Sequence, residues 1–346
     1  MSLDTPSLRD LGWSPVFHAG LDPDELAAAP VRVAAVHRNG FDVIGPGGAR
    51  RIAAGAALPS ADVAVGDWLL LDDVGLPLRR LERKSLIARR AAGTGAETQL
   101  IAANLDTLFI VSSCNADFNV ARLERYLALA RQAGVLPLVV LTRADACPDP
   151  ADFVDRARAL GASLPIEAVN ALDPGAVARL EPWCGPGETV ALAGSSGVGK
   201  STLVNALTGA ALATQGIRED DARGRHTTTT RSLHRTRAGG WLIDTPGMRA
   251  LRLSDVAEGI AAVFDDVAAL AGDCRFGDCT HDGEPGCAVQ AAVAAGALDA
   301  GRLARWQKLA REDARNSATL AEARARDRAH GRFFRSVKRE IRRRKG

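Results

Sequence analysis

Eight consecutive residues have the chemistry and spacing of a loop that wraps phosphate: Gly194-Ser195-Ser196-Gly197-Val198-Gly199-Lys200-Ser201. Glycines at the turning points let backbone N–H groups close around an anion where a Cβ would block the approach. Lys200 is placed to neutralise β- and γ-phosphate charge, and the Ser201 hydroxyl to ligate Mg²⁺. The apolar run 190–193 reads as the strand before the loop and 200–207 as the helix after it. That helix points its positive end at the phosphates and carries Thr202 in its first turn. Strand, loop and helix together make this a P-loop rather than a chance glycine-rich turn.

Downstream, Asp244-Thr245-Pro246-Gly247 follows the apolar Trp241-Leu242-Ile243. An acid at a strand end is placed to reach Mg²⁺ directly or through water, and Gly247 to offer its backbone N–H to the γ-phosphate. Between the two motifs, a polar stretch from Gln215 ends in His226-Thr227-Thr228-Thr229-Thr230-Arg231. A nucleotide switch needs a threonine that closes onto Mg²⁺ while the γ-phosphate is present; Thr228 and Thr229 are both candidates. Met248 can neither orient nor polarise water, so the group that does so comes from elsewhere. His226 is the candidate within this chain, with contact to RNA or solvent as its other reading.

Guanine presents N1–H and N2–H₂ as adjacent donors, which one carboxylate accepts together. The run Leu138-Val139-Val140-Leu141 leads into Thr142-Arg143-Ala144-Asp145, so Asp145 is the expected guanine reader, with Thr142 and Arg143 completing its loop. Arg143 stands where lysine is usual in such loops and could stack over the base. A second loop, Asn170-Ala171, follows the apolar stretch 166–169 and suits a backbone contact to the base oxygen. Both base loops precede the P-loop, the reverse of the usual order. A circularly permuted order still works, because neighbouring strands in the sheet, not neighbours in the chain, assemble the site. The expected ligand is GTP or GDP.

A separate cluster, Cys274-x4-Cys279-x-His281-x5-Cys287, supplies three thiolates and one imidazole within 14 residues. Four such ligands suit a closed, tetrahedral Zn²⁺ site of structural type. Such a site stabilises a small domain that has little core of its own.

These loops need elements to hold them. From Gln99 to about Leu253 strand and helix patterns alternate: strands at 107–112, 137–141, 166–169, 190–193 and 241–243, helices at 120–133 and 200–207. Such alternation predicts a mostly parallel sheet covered on both faces. Residues 31–90 carry short apolar runs divided by Asn39-Gly40, Gly45-Pro46-Gly47-Gly48 and Gly66-Asp67, which predicts a barrel of about five strands. An OB-fold is the commonest such barrel that binds nucleic acid, and an SH3-like barrel is the alternative. Arg79, Arg80, Arg83, Lys84, Arg89 and Arg90 follow it, as a phosphate-facing edge or a solvated linker. After about Ala257 the pattern turns helical around the cysteine cluster.

The chain has 346 residues, 47% of them hydrophobic and 25% charged, which suits a multidomain globular protein. No apolar stretch is long enough to span a bilayer, and MSLDTPSLRD has neither a basic start nor an apolar core. No membrane role is expected, and the cytoplasm is the expected compartment. The formal net charge of +3 hides an asymmetry, because residues 332–345 hold eight basic residues against one acid, Glu340. A basic tail on a mildly acidic body predicts a polyanionic partner.

The order base loops, Gly194 to Ser201, His226-Thr227-Thr228-Thr229, Asp244 to Gly247, then Cys/His cluster resembles the ribosome small-subunit-dependent GTPase A family. So do the N-terminal barrel, Ala102-Ala103-Asn104-Leu105-Asp106, Phe109-Ile110-Val111-Ser112-Ser113 and Leu123-Glu124-Arg125-Tyr126. The resemblance implies an OB-fold over residues 1–92, a circularly permuted GTPase domain over 93–256 and a mostly helical zinc-binding domain with a basic tail over 257–346. It also implies GTP hydrolysis stimulated by the small ribosomal subunit and its rRNA during late subunit maturation, and it favours His226 as the hydrolytic group. Asn170 departs from the serine frequent there. A monomer is expected. Another RNA-binding P-loop NTPase without ribosome specificity, a P-loop ATPase or kinase, and an RNA-binding module that does not turn over nucleotide are the competing readings.

Overall fold

The computed structural model describes residues 6–55, 58–90, 98–209, 231–244 and 254–317. His226, Thr228, Thr229, Gly247, Met248 and the basic tail 332–345 lie outside the described residues.

A short helix α1 (Pro15–Ala19) leads into strands β1 (Pro30–His37), β2 (Gly40–Gly45), β3 (Gly48–Ala53), β4 (Trp68–Leu71) and β5 (Pro77–Arg80). All pairings among them are antiparallel, in the order β3-β2-β1-β4-β5. Alternate residues Val31, Val33, Phe41, Val43, Leu69 and Leu71 turn inward to form a core of their own, as the period-two pattern requires. The basic run after this region is spread over β5, the connection 81–85 and a hairpin of β6 (Leu86–Arg90) with β7 (Thr98–Ala103). Arg79 is gripped by Glu25 and Arg83 by Asp67, Lys84 meets Asp106, and Arg89 donates to Gln99. Most of these partners are distant in sequence, so local charge density alone could not reveal them.

The central region runs β8 (Thr107–Ser113), α2 (Val120–Gln132), β9 (Leu136–Thr142), α3 (Pro150–Arg158), β10 (Ile166–Val169), α4 (Pro174–Ala178), β11 (Thr189–Ala193), α5 (Lys200–Thr208), β12 (Ser232–Arg235) and β13 (Trp241–Asp244). Strands β10-β9-β8-β11-β13 are parallel neighbours, and β12 closes the set antiparallel to β13. Successive residues point to opposite faces. Leu108, Ile110, Val139, Leu141 and Ile243 share one core with Leu123 and Leu127 of α2. Phe109, Val111, Leu138, Val140 and Leu242 share another with Leu203, Val204 and Leu207 of α5. This is the sheet covered on both faces that the alternation predicts.

Two joints tie the N-terminal strands to this sheet. Ala35 of β1 pairs with Ser232 of β12, so both regions belong to one 11-stranded sheet. Arg32, 1% exposed, donates to Leu11 O at 2.5 Å and to Thr189 Oγ1 at 2.8 Å. Its burial pulls the guanidinium pKa down to about 10.

Helices α6 (Ala257–Val263), α7 (Asp265–Ala271), α8 (Ala288–Ala294) and α9 (Ala300–Ser317) form the C-terminal region. α6 lies so close to α2 that a Cβ on Gly259 would stand 2.0 Å from Ala128 O. Glu124 of α2, fully buried, accepts from Arg305 of α9 at 2.9 and 3.0 Å. Among the described residues no helix is long and apolar enough to cross a membrane.

Candidate nucleotide and metal sites

Parallel strands carry the phosphate and base loops to one edge of the sheet, beyond their C-terminal ends, where open α/β sheets bind ligands. β11 sits between β8 and β13 and delivers Gly194. That glycine has φ 149°, and a Cβ there would lie 2.2 Å from Val111 O, so any side chain would push the loop off β8. Gly199, at φ 89°, turns the chain into α5, which places Lys200, Ser201 and Thr202 in the first helical turn. Ser196 and Gly197 are exposed, Val198 is buried beneath them, and Ser201 faces solvent. The Lys200 ammonium donates to Gly194 O at 2.8 Å and also to Ser195 O.

The loop after β9 touches this phosphate loop directly. Thr142 Oγ1 lies 2.7 Å from Val198 O and 3.1 Å from Ser112 O. Arg143 takes a left-handed backbone conformation, φ 58°, and its guanidinium donates to Gly197 O at 2.7 Å. The contact shown for Arg143 is therefore a backbone tie across the site. Asp145 follows in an exposed 3₁₀ turn, and its carboxylate makes no hydrogen bond or ion pair with the described residues. Val169 is in register with Thr142, so Asn170 and Ala171 emerge beside that loop. Asn170 Oδ1 accepts from Leu172 N at 2.9 Å, which commits its side chain to shaping its own turn.

Asp244 ends β13, one strand from the phosphate loop, opposite Ser232 of β12. Burial raises its pKa, and nearby His234 pulls the other way. A half-buried carboxyl with little compensation suits a site that a cation completes. Ser201 and Asp244 are the described residues that would hold Mg²⁺. When bound, that ion would supply positive charge to offset charge developing on phosphate.

Two contacts to the phosphate loop come from residues that no motif announces. Asp117 and Arg122, at the turn from β8 into α2, both reach the Ser195 hydroxyl. Their signal lies in the pairing of β8 with β11, which no local pattern carries.

The second site is local. The ligand atoms of Cys274, Cys279, His281 and Cys287 all lie within 4.8 Å of one another. Cys274 Sγ is 3.9 Å from Cys287 Sγ, and His281 Nδ1 is 3.6 and 3.4 Å from those two sulfurs. A tetrahedron with metal–sulfur bonds of about 2.3 Å and metal–nitrogen bonds of about 2.0–2.1 Å has edges of about 3.5–3.8 Å, so the set fits zinc. His281 holds a left-handed backbone conformation, φ 60°. Gln290 and Gln307 both donate to its carbonyl, at 2.6 and 2.9 Å, and Trp306 packs against its ring.

The profile of the family described as RsgA GTPase matches residues 80–254. A Mesorhizobium japonicum protein named small ribosomal subunit biogenesis GTPase RsgA is 51% identical over 92% of this chain and 93% of its own length. The chain belongs to the RsgA GTPase family. A Vibrio vulnificus member named small ribosomal subunit biogenesis GTPase RsgA 2 is 49% identical over 96% of this chain and 95% of its own. Among solved structures, YjeQ from Thermotoga maritima superposes with a TM-score of 0.60 at 24% identity, covering 82% of this chain and 97% of that one. YloQ, described as a circularly permuted GTPase, gives 0.59 at 21% identity over 88% and 98%. Membership in the family makes the chain a GTP-hydrolysing enzyme, and the solved structures share its permuted fold.

Proposed function

We propose that this protein hydrolyses GTP during biogenesis of the small ribosomal subunit, with the subunit and its rRNA as partner and stimulus. One observation supports guanine chemistry above all: the Thr142–Arg143 loop bonds to the carbonyls of Gly197 and Val198. A base-reading acid three residues past Thr142 then belongs to the same pocket as the phosphates, although it comes earlier in the chain. The ribosomal assignment is supported by the names of relatives that match the chain nearly end to end.

In this reading Asp145 accepts the two guanine donors, Asn170 and Ala171 border the base, and Gly194 to Thr202 cradle the phosphates. Lys200 offsets phosphate charge, and Ser201 and Asp244 hold Mg²⁺ with Thr228 or Thr229. Gly247 donates to the γ-phosphate, and His226 orients the attacking water that Met248 cannot. Zn²⁺ held by Cys274, Cys279, His281 and Cys287 staples the C-terminal region. The protein acts as a monomer in the cytoplasm, and its basic tail meets rRNA phosphate.

GTP turnover measured with and without purified small subunits tests the partner: stimulation is expected, and an unchanged rate would sink the ribosomal half of the reading. Asp145→Ala tests the base. Losing two charge-assisted hydrogen bonds should weaken GDP binding about a hundredfold while leaving weak ATP binding as it was. Equal losses for both nucleotides would remove Asp145 from its role.

A further inference from the structure

The turn between β8 and α2 is built before it reaches the phosphate loop. Asn115 Oδ1 accepts from Asp117 N at 2.9 Å and from Ser113 Oγ at 2.8 Å. The Asn119 side chain caps α2 by accepting from Arg122 N at 3.0 Å. β8 and β11 run parallel with Ile110 beside Ala193, so this turn is delivered next to the start of the loop. There Arg122 Nη1 donates to Ser195 Oγ and to Asp117 Oδ2, the latter at 3.0 Å, and Ser195 Oγ donates to the same carboxylate at 3.0 Å.

Gly194 and Ser195 are also the residues whose carbonyls receive the Lys200 ammonium. The second of these residues, Ser195, is therefore held through its hydroxyl by a side chain from α2. We propose that Arg122, oriented by Asp117, is a positioning residue that fixes Ser195 at the start of the phosphate loop and, through it, the position of Lys200. Arg122 acts through the Ser195 hydroxyl. Its charge is already matched by Asp117, so its contribution is orientation of the loop rather than charge supplied to a phosphate. Loop geometry matters equally to diphosphate and triphosphate, so both nucleotides lose affinity together when it is disturbed. The inference rests on reading this loop as the nucleotide site.

Fluorescent GDP and GTP analogues titrated into the full chain provide the test. Arg122→Ala is expected to weaken both about tenfold, raising KM for GTP with little change in kcat. Arg122→Lys keeps a donor and recovers to within about threefold of the parent. Ser195→Ala should cost as much as Arg122→Ala, and the double variant no more than either, because one hydrogen bond is being removed twice. Losses from Arg122→Ala and Ser195→Ala that multiply, or an Arg122→Ala affinity within about twofold of the parent, would overturn the proposal. A parent protein that binds neither analogue would overturn the nucleotide reading beneath it.

Discussion

The nucleotide site and the Cys/His cluster are built in opposite ways. In the proposed reading the first draws on the loops after β9, β10 and β11 and on the end of β13, from Thr142 to Asp244, and most of its described contacts run through backbone carbonyls. The second takes all four ligands from one short segment and runs through side chains. A site assembled by parallel strands inherits its geometry from the sheet, which buries two apolar cores. Between α7 and α8, by contrast, only His281 and Cys287 are buried. That segment has little apolar surface of its own, and in the proposed reading a metal would supply what a core supplies elsewhere. Helix α2 stands between the two regions, with Arg122 toward the phosphate loop and Glu124, Arg125 and Ala128 toward the C-terminal helices.

The largest effect should come from removing the metal. Structural zinc contributes on the order of 10 kcal/mol to domains of this kind. Cys287→Ser is expected to abolish zinc retention by elemental analysis and hydrogen-exchange protection across 274–290. GDP affinity should stay within about threefold of the parent, because the two sites are built independently. If GDP binding collapsed together with zinc, the contrast between the regions would be false.

A smaller effect tests the joint. Gly259→Ala places a methyl carbon where 2.0 Å separates it from Ala128 O and 2.9 Å from Gln132 N. Backbone on both sides leaves no flexible end to yield, so a loss of about 2 kcal/mol or more is expected in denaturant unfolding. Zinc content should remain whole. An unchanged unfolding midpoint would show that α6 does not need its close seat on α2.

The same contrast explains what could be read from sequence. Gly194 to Ser201 and the Cys/His spacing are local patterns, and the parallel strands carried runs such as Leu138 to Leu141 that name themselves. β12 escaped notice because Ser232-Leu233-His234-Arg235 has no apolar period, although this strand joins the N-terminal strands to the central sheet. Arg32 stands between the apolar Val31 and Val33 and is buried at a junction whose other parts lie as far away as Thr189. Arg79, Arg83 and Lys84 pair with Glu25, Asp67 and Asp106, partners that the charge run itself does not show. Asp117 and Arg122 gain meaning only once β8 is known to lie beside β11. In each case the missing information was a long-range pairing.

The smallest effect asks how much of the C-terminal region is held by ion pairs rather than by metal. Asp266 accepts from Arg302 at 2.5 and 2.9 Å, and Arg302 also lies 3.4 Å from Glu124. Partial burial works to raise the Asp266 pKa, but the Arg302 hydrogen bonds and the Val267 N–H outweigh it and leave the carboxyl below its ordinary value of 3.8. Because the folded-state carboxyl ionises at lower pH, its contribution is complete above the ordinary value and disappears as pH falls through the folded one. The Asp266 side chain is 39% exposed, so solvent screens the pair and its contribution should be about 0.5 kcal/mol or less. Asp266→Asn should therefore lower the unfolding free energy slightly at pH 7, with the gap from the parent closing as the pH is taken below about 4. Arg302 keeps Glu124 in the variant, and the metal ligands are untouched, so zinc content should not change. A gap that stayed constant with pH would mean that Asp266 contributes through packing, and that ion pairing has no share in holding this region together.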